Sequence, residues 1–359
     1  MARFIETVYE KLRRHPKRIV FPEGHDARVL RAASEYAAQQ LGPAVVLGRR
    51  EEVEALAAAE RIPLRHILII DPEHAADLPL FARRLEVFQR YRGIKDADAA
   101  RILANPNYFA AMMLQGGQCD GLVAGASEFS GNILRPLFQL IKPLPGIKTI
   151  SGVTILEVPD SPFGDRGILF FADCGVVPAP TVEQLADITV EAARLRRQLT
   201  GAVPRVALLS FSTKGSARTR DTERIIAATA LARQKARESG LKAEIDGELQ
   251  VDAALLPDLA AKKAPGSLVA GRAEVLIFPD LNAGNIAVKL VQHLARATAY
   301  GQILTGLSKP AAELSRGARV EDILGVAALV ALQAVEYRKL YPDQQGAADD
   351  WLTQHQVRA

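Results

Sequence analysis

Short runs of β-branched and aliphatic residues recur along this chain, each followed by a stretch with helical patterning. That alternation restricts the fold more than any other feature. In the first part of the chain the runs are RIVFP (18–22), PAVVLG, HILIID and DGLVAG. Between them the spacing predicts an alanine-rich amphipathic helix over about 26–41, a polar helical region over about 78–104 and a helix over about 106–116. Strands alternating with helices indicate a parallel α/β sheet. Near residue 148 the pattern changes: KTISGVTILEV and RGILFFADC flank PDSPFGD, the signature of a hairpin closed by a Pro-Gly-rich turn. Alternation then resumes with a helix at 181–199, strand RVALLS, a helix at 221–239, strand EIDGELQ, a helix at 252–262, strand EVLIFPD and a helix from about 283. The last helix, about 320–340, is apolar nearly all round and is expected to be buried. A chain of 359 residues exceeds one typical core, so two domains are expected, with a boundary near 148.

Composition narrows the function classes. The formal net charge is +4 and no run of five or more basic residues occurs, which argues against nucleic acid as a partner. Two cysteines, Cys119 and Cys174, exclude a disulfide framework and fit a reducing, cytoplasmic compartment. The six histidines lack metal-type spacing, so no metal is expected. The N-terminal stretch is charged throughout, and nothing approaches the roughly 18 apolar residues that span a bilayer, so no membrane partner is expected.

In a parallel α/β sheet, ligands sit where strands end and helices begin. Four such junctions are rich in small and polar residues. GLVAGASEFSGNILRP (121–136) offers the hydroxyls of Ser127 and Ser130, with Arg135 about a turn into a helix. Such groups at a helix start suit a phosphate, or simply cap the helix. ALLSFSTKGSARTR (207–220) gathers Ser212, Thr213 and Lys214 after a strand. Its composition is that of a phosphate cradle, but its spacing is not that of a P-loop. IFPDLNAGNIAVKL (277–290) crowds Asn282, Gly284 and Asn285 into a strand-to-helix turn, which Asn and Asp also fix for purely structural reasons. ELSRGARVEDILG (313–325) sets Ser315, Arg316 and Gly317 just before a helix whose first turn carries Asp322. The arginine and the helix start favour an anion. The aspartate either matches the helix dipole or acts as a general base.

These junctions, in this order, resemble the phosphate acetyltransferase (phosphotransacetylase) family, with phosphate butyryltransferases as near relatives. The matching pieces are KRIVFPEGHDARVLRAA, PNYFAAMML, DGLVAGA, LRPLFQLIK, LLSFSTKGSA, DGELQVDAAL, VLIFPDLNAGNIAVKLVQ, GLSKPAAELSRG and EDI, which span roughly 17–335. The resemblance implies two α/β domains with a cleft between them, similar to isocitrate and isopropylmalate dehydrogenases. The first domain would be 1–148 plus 309–359, the second 149–308. It implies reversible transfer of an acetyl group between CoA and phosphate, by direct attack of the CoA thiolate on the acyl phosphate. The partners would be CoA, acyl phosphate and phosphate, with no bound cofactor, and the protein would be a homodimer.

Carried over by motif, Ser315 and Arg316 hold the phosphate and stabilise charge at the reacting carbonyl, Asp322 takes the thiol proton, and Arg135 binds phosphate from the other domain. Ser127, Ser130 and Lys214 join the phosphate shell, together with Arg90 or, where the alignment slips, Arg92. Ser212, Thr213, Asn282, Gly284 and Asn285 are candidates for contacting CoA. Cys174 lies near the site but is not a nucleophile. One departure stands out: where many family members carry His-Ser-Thr, this chain has Glu128, Phe129 and Ser130. Phe129 either narrows the acyl pocket or turns away to pack in the core. A preference for butyryl or propionyl groups, and a non-catalytic acetyl-CoA-sensing module of the same fold, are the alternatives.

Overall fold

The computed structural model describes residues 4–92 and 98–340, with backbone alone for 88–92 and 338–340. In chain order the elements are α1 (Phe4–Arg14), β1 (Ile19–Phe21), α2 (Ala27–Ala38), β2 (Ala44–Leu47), α3 (Arg50–Ala59), β3 (Ile67–Ile70), α4 (Leu78–Arg92), α5 (Ala99–Leu103), α6 (Pro106–Gln115), β4 (Gly121–Ala124) and α7 (Ser130–Leu140). There follow β5 (Ser151–Glu157), β6 (Ile168–Ala172), α8 (Val182–Thr200), β7 (Arg205–Leu209), α9 (Arg220–Glu238), β8 (Glu244–Leu249), α10 (Val251–Leu255), α11 (Pro257–Lys263), β9 (Val275–Ile277), α12 (Leu281–Leu294) and β10 (Thr298–Thr305). The chain closes with β11 (Ala311–Glu313) and α13 (Val320–Leu340). It divides into two compact units, Met1–Lys142 with Leu307–Ala359, and Pro143–Gly306.

The strands of the first unit lie in the order β3-β2-β1-β4-β11, all parallel. Every residue of β1, β2 and β4 is buried, as expected when helices cover both faces of a parallel sheet. The apolar helix α13 packs on β4, α1 and α2. Its middle, from Ile323 to Val335, is almost entirely buried. α1 contributes Ile5, Val8, Tyr9 and Leu12, one apolar stripe at helical spacing.

The strands of the second unit lie in the order β10-β5-β6-β9-β7-β8. β5 runs antiparallel to β10 and β6, so the hairpin read from the sequence is present, and the remaining pairs are parallel. Leu156, Phe171, Leu209, Leu249, Leu276 and Phe278 anchor one core cluster. The helix expected over 252–262 is in fact two, α10 and α11. Pro257 opens α11, because its ring and missing N–H bar it from continuing the helix before it.

Candidate active site

Strand order places a crevice in the first unit. β2 and β3 lie to one side of β1, while β4 and then β11 lie to the other. The order therefore reverses between β1 and β4, the place where an open α/β sheet binds ligands at its carboxyl edge. Three loops leave that edge side by side: 22–26 after β1, 125–129 after β4 and 314–319 after β11. They hold Ser127, Ser315 and Arg316, and the helices they lead into begin with Ser130 and carry Asp322 in the first turn, so residues scattered along the sequence share one end of one sheet.

Two side chains that the sequence reading passed over tie these loops together. The buried Glu23 carboxylate accepts the N–H groups of Gly125 (2.7 Å), Ala126 (3.0 Å) and Ser127 (2.7 Å), and the Ser127 hydroxyl at 2.8 Å. The hydroxyl of Ser127 is thus committed to Glu23 rather than open to a phosphate, with His25 Nε2 3.0 Å away. Arg28 binds through all five of its N–H donors. Its Nε and Nη2 grip the Asp26 carboxylate, Nη2 also reaches the Ala126 carbonyl (2.7 Å), and Nη1 reaches the carbonyls of Arg316 (2.9 Å) and Ala318 (2.8 Å). One guanidinium therefore fixes both the 125–127 and 315–318 loops. Burial pushes the Asp26 carboxyl up, but hydrogen bonds from the side chain and backbone of Arg28 outweigh it and hold the group below its ordinary range. Gly125 sits at φ +110°, where a Cβ would stand 2.9 Å from the Leu314 carbonyl oxygen, so only glycine lets β4 and β11 end this close.

At the far loop Ser315 and Arg316 are exposed. The Arg316 guanidinium lies over the Phe129 ring, 4.7 Å from its centroid. Phe129 is 66% exposed, so it does not pack in the core. Arg135 is exposed one turn into α7, whose first residue is Ser130. Among the described residues neither Arg135 nor Arg316 takes part in an ion pair. Arg135 belongs to the same unit as Ser315 and Arg316, which corrects the expectation that it reaches the phosphate from the other domain.

Asp322 is buried at 4% exposure. Its Oδ2 accepts the backbone N–H of Arg319 (2.9 Å) and the Arg319 Nε (3.2 Å), and its Oδ1 accepts Nη2 (3.2 Å). The acid at the third helical position thus reaches back to the residue before the helix, half of a capping box. A carboxylate offers about four lone-pair sites, so three contacts leave it able to accept one more proton donor.

In the second unit the hydroxyl-rich loop is committed to β8. Ser212 Oγ donates to Glu248 (3.0 Å), as does the Gly215 N–H (2.7 Å). Thr213 accepts the Gln250 N–H at 2.9 Å. Lys214 Nζ lies 2.6 Å from Asp246 and 3.0 Å from the Gly247 carbonyl. The composition of a phosphate cradle is here the composition of a loop that neutralises buried acids. Asn285 donates to the Cys174 carbonyl at 3.1 Å. Gly284 lets α12 approach so closely that a Cβ would fall 2.3 Å from the Asp173 carbonyl oxygen. Asn282 is exposed at the start of α12. Burial pushes the Cys174 thiol well up, the opposite of what a nucleophile needs. The side chains of Arg90 and Arg92 lie outside the described residues. Among the described residues no group of three His, Cys, Asp or Glu side chains could hold a metal ion, and no helix is long and apolar enough to cross a membrane.

Glu23 and Arg28 were missed because most of the groups they bind are far away in the chain and belong to the backbone, whereas Arg319 was passed over although its partner Asp322 is only three residues on. The available signal was an acid placed directly after a buried strand, in FPEGHDAR, at the edge where ligands bind.

Comparison with known proteins shows the family and the fold. The profile of the family described as phosphate acetyl/butaryl transferase matches residues 3–331. A phosphate acetyltransferase from Acetivibrio thermocellus is 43% identical over 331 residues, 92% of this chain and 98% of the relative. The structure of the EutD phosphotransacetylase from Staphylococcus aureus superposes with a TM-score of 0.83 at 37% identity, covering 92% of this chain and 98% of that one. A 4-hydroxythreonine-4-phosphate dehydrogenase from Klebsiella pneumoniae, 13% identical with a TM-score of 0.52 over 89% of this chain and 99% of that one, shares the fold alone and bears out its dehydrogenase-like class. With a match over nearly its whole length, the chain belongs to the phosphate acetyl/butyryl transferase family.

Proposed function

We propose that this chain catalyses the reversible transfer of an acetyl group between CoA and phosphate, in a ternary complex and without a covalent acyl-enzyme. The observation that carries the reading is the presence at one sheet edge of an uncommitted guanidinium, Arg316, and a buried carboxylate six residues on, Asp322. In the thioester-forming direction the CoA thiol gives its proton to Asp322. Its sulfur forms a C–S bond to the acyl carbonyl, and the C–O bond to phosphate breaks. A free thiol with pKa near 8.5 is only a few per cent ionised at neutral pH, so a base at hand contributes roughly 10²–10⁴-fold. Negative charge grows on the carbonyl oxygen in the transition state, and Ser315 and Arg316 offset it. The leaving phosphate is met by Arg316, Arg135 and the first turn of α7, whose N-cap residue, Phe129, makes no side-chain cap hydrogen bond.

CoA is expected to meet the loops that Ser212, Thr213, Gly284 and Asn285 shape, with the exposed Asn282 offering its side chain. No step requires a metal. We place the enzyme in the cytoplasm, consistent with two buried free cysteines. It is read as a homodimer, for α12 exposes Ile286, Leu290 and Leu294 in one stripe at four-residue spacing. The test is thioester formation from CoA with acetyl, propionyl and butyryl phosphate by purified protein. Acetyl phosphate is expected to have the highest kcat/KM, and a higher value for butyryl phosphate would reverse the substrate assignment.

A further inference from the structure

Three arginines surround the loops at the carboxyl edge, and they are held in different ways. Arg28 uses every donor on Asp26 and on three backbone carbonyls. Arg319 turns its fork to Asp322. Arg316 is held by its flat face alone, against the Phe129 ring at 4.7 Å. A stacked guanidinium keeps its in-plane N–H donors free, whereas an ion-paired one does not. Phe129 has no packing reason to be aromatic, since it is 66% exposed. It also occupies the N-cap of α7, where Ser, Thr, Asp or Asn is preferred and where no side-chain cap bond forms. A residue that is poor for its helix and exposed to water is thus seated on the one arginine of these three loops, among the described residues, whose donors are open.

From this we propose that Phe129 is a positioning residue for Arg316. Its ring presents the guanidinium edge-on to the anionic oxygens of phosphate or acyl phosphate. The proposal rests on the acyltransferase reading, and it makes Phe129 part of phosphate recognition rather than a wall of the acyl pocket. Cation–π attraction at an exposed site corresponds to roughly a two- to five-fold factor in binding. The effect should fall on KM for phosphate, with kcat little changed, because it acts on ground state and transition state alike.

The experiment measures phosphate KM in the acetyl-CoA plus phosphate direction, with thermal unfolding of the same preparations. Phe129→Leu, which keeps bulk and removes the ring, should raise KM about two- to five-fold, and Phe129→Tyr should restore it. Phenylalanine fluorinated stepwise at position 129, which drains the ring face of negative potential at nearly constant shape, should raise KM progressively. Phe129→Ser should raise KM while raising the unfolding midpoint, because serine caps α7. Opposite signs in activity and stability are not what a purely structural residue would give. A flat fluorination series, or Phe129→Leu with wild-type KM, overturns the proposal. If the wild-type protein forms no acetyl phosphate at all, it is the acyltransferase reading that fails instead.

Discussion

Asp322 holds two roles that mutation can separate. Its carboxylate caps α13 and pairs with Arg319, and it is also the group proposed to receive the thiol proton. Arg319→Ala breaks the same ion pair but leaves the acid, so it should lower stability by about 1 kcal/mol while keeping turnover within an order of magnitude. Asp322→Asn keeps the shape but loses the base. Its kcat should fall about 10²–10⁴-fold with little change in KM for acetyl phosphate. Equal loss of activity in the two variants, tracking their stability, would reduce Asp322 to a helix cap. Arg316→Gln should lose at least about 10²-fold in kcat/KM, and near wild-type activity would remove Arg316 from the site. At this scale the sequence was legible where function sits inside one short motif. Ser315, Arg316 and Asp322 could be picked out together because they lie within eight consecutive residues. Glu23 and Arg28 could not, because the groups they bind lie about 100 and 290 residues away and are mostly backbone. Lys214 was read as a phosphate binder because hydroxyls and a cation in a loop look the same whether they serve a ligand or a neighbouring strand's carboxylates.

The element that pins the second unit's hydroxyl-rich loop is β8, through Asp246. Its carboxylate takes Lys214 (2.6 Å), Arg233 (2.5 Å) and the Ser267 hydroxyl (2.5 Å). Burial pushes this carboxyl up, yet hydrogen bonds from Lys214 and Ser267 outweigh it and hold it below its ordinary range. A depressed acid contributes stability that is present above the unfolded carboxylate value and is lost as pH falls through the folded one. Asp246→Asn should therefore cost about 1–3 kcal/mol near pH 7, and the gap to wild type should close below about pH 4. A gap independent of pH, measured by denaturant unfolding, would show that shape rather than charge matters there. Elements were readable where burial is two-sided, since β1, β2 and β4 appear as unbroken apolar runs. β10 was overlooked because Gly301 and Gln302 interrupt it, and its register with β5 shifts between Tyr300 and Ile303. α1 was passed over as merely charged, because its four buried residues emerge only when the stretch is wound at 3.6 residues per turn.

For the whole molecule, the apolar stripe of α12 predicts association of two copies. Leu290→Asp should give a monomer by sedimentation without loss of secondary structure, whereas a wild-type protein that is itself monomeric would withdraw the dimer. Length and the change of pattern near residue 148 led to the expectation of two α/β domains, and the resemblance put the last helix in the first of them; the structure packs α13 on α1, α2 and β4. The central claim is that this sheet edge moves an acyl group directly between phosphate and CoA. The most direct measurement is exchange of isotopic label between phosphate and acetyl phosphate, with CoA present and with CoA absent. Direct attack requires exchange only when CoA is present, and Cys174→Ala should exchange as wild type does. Exchange without CoA would mean an acyl-enzyme forms, and absence of exchange under both conditions would mean that the chain does not carry out this reaction.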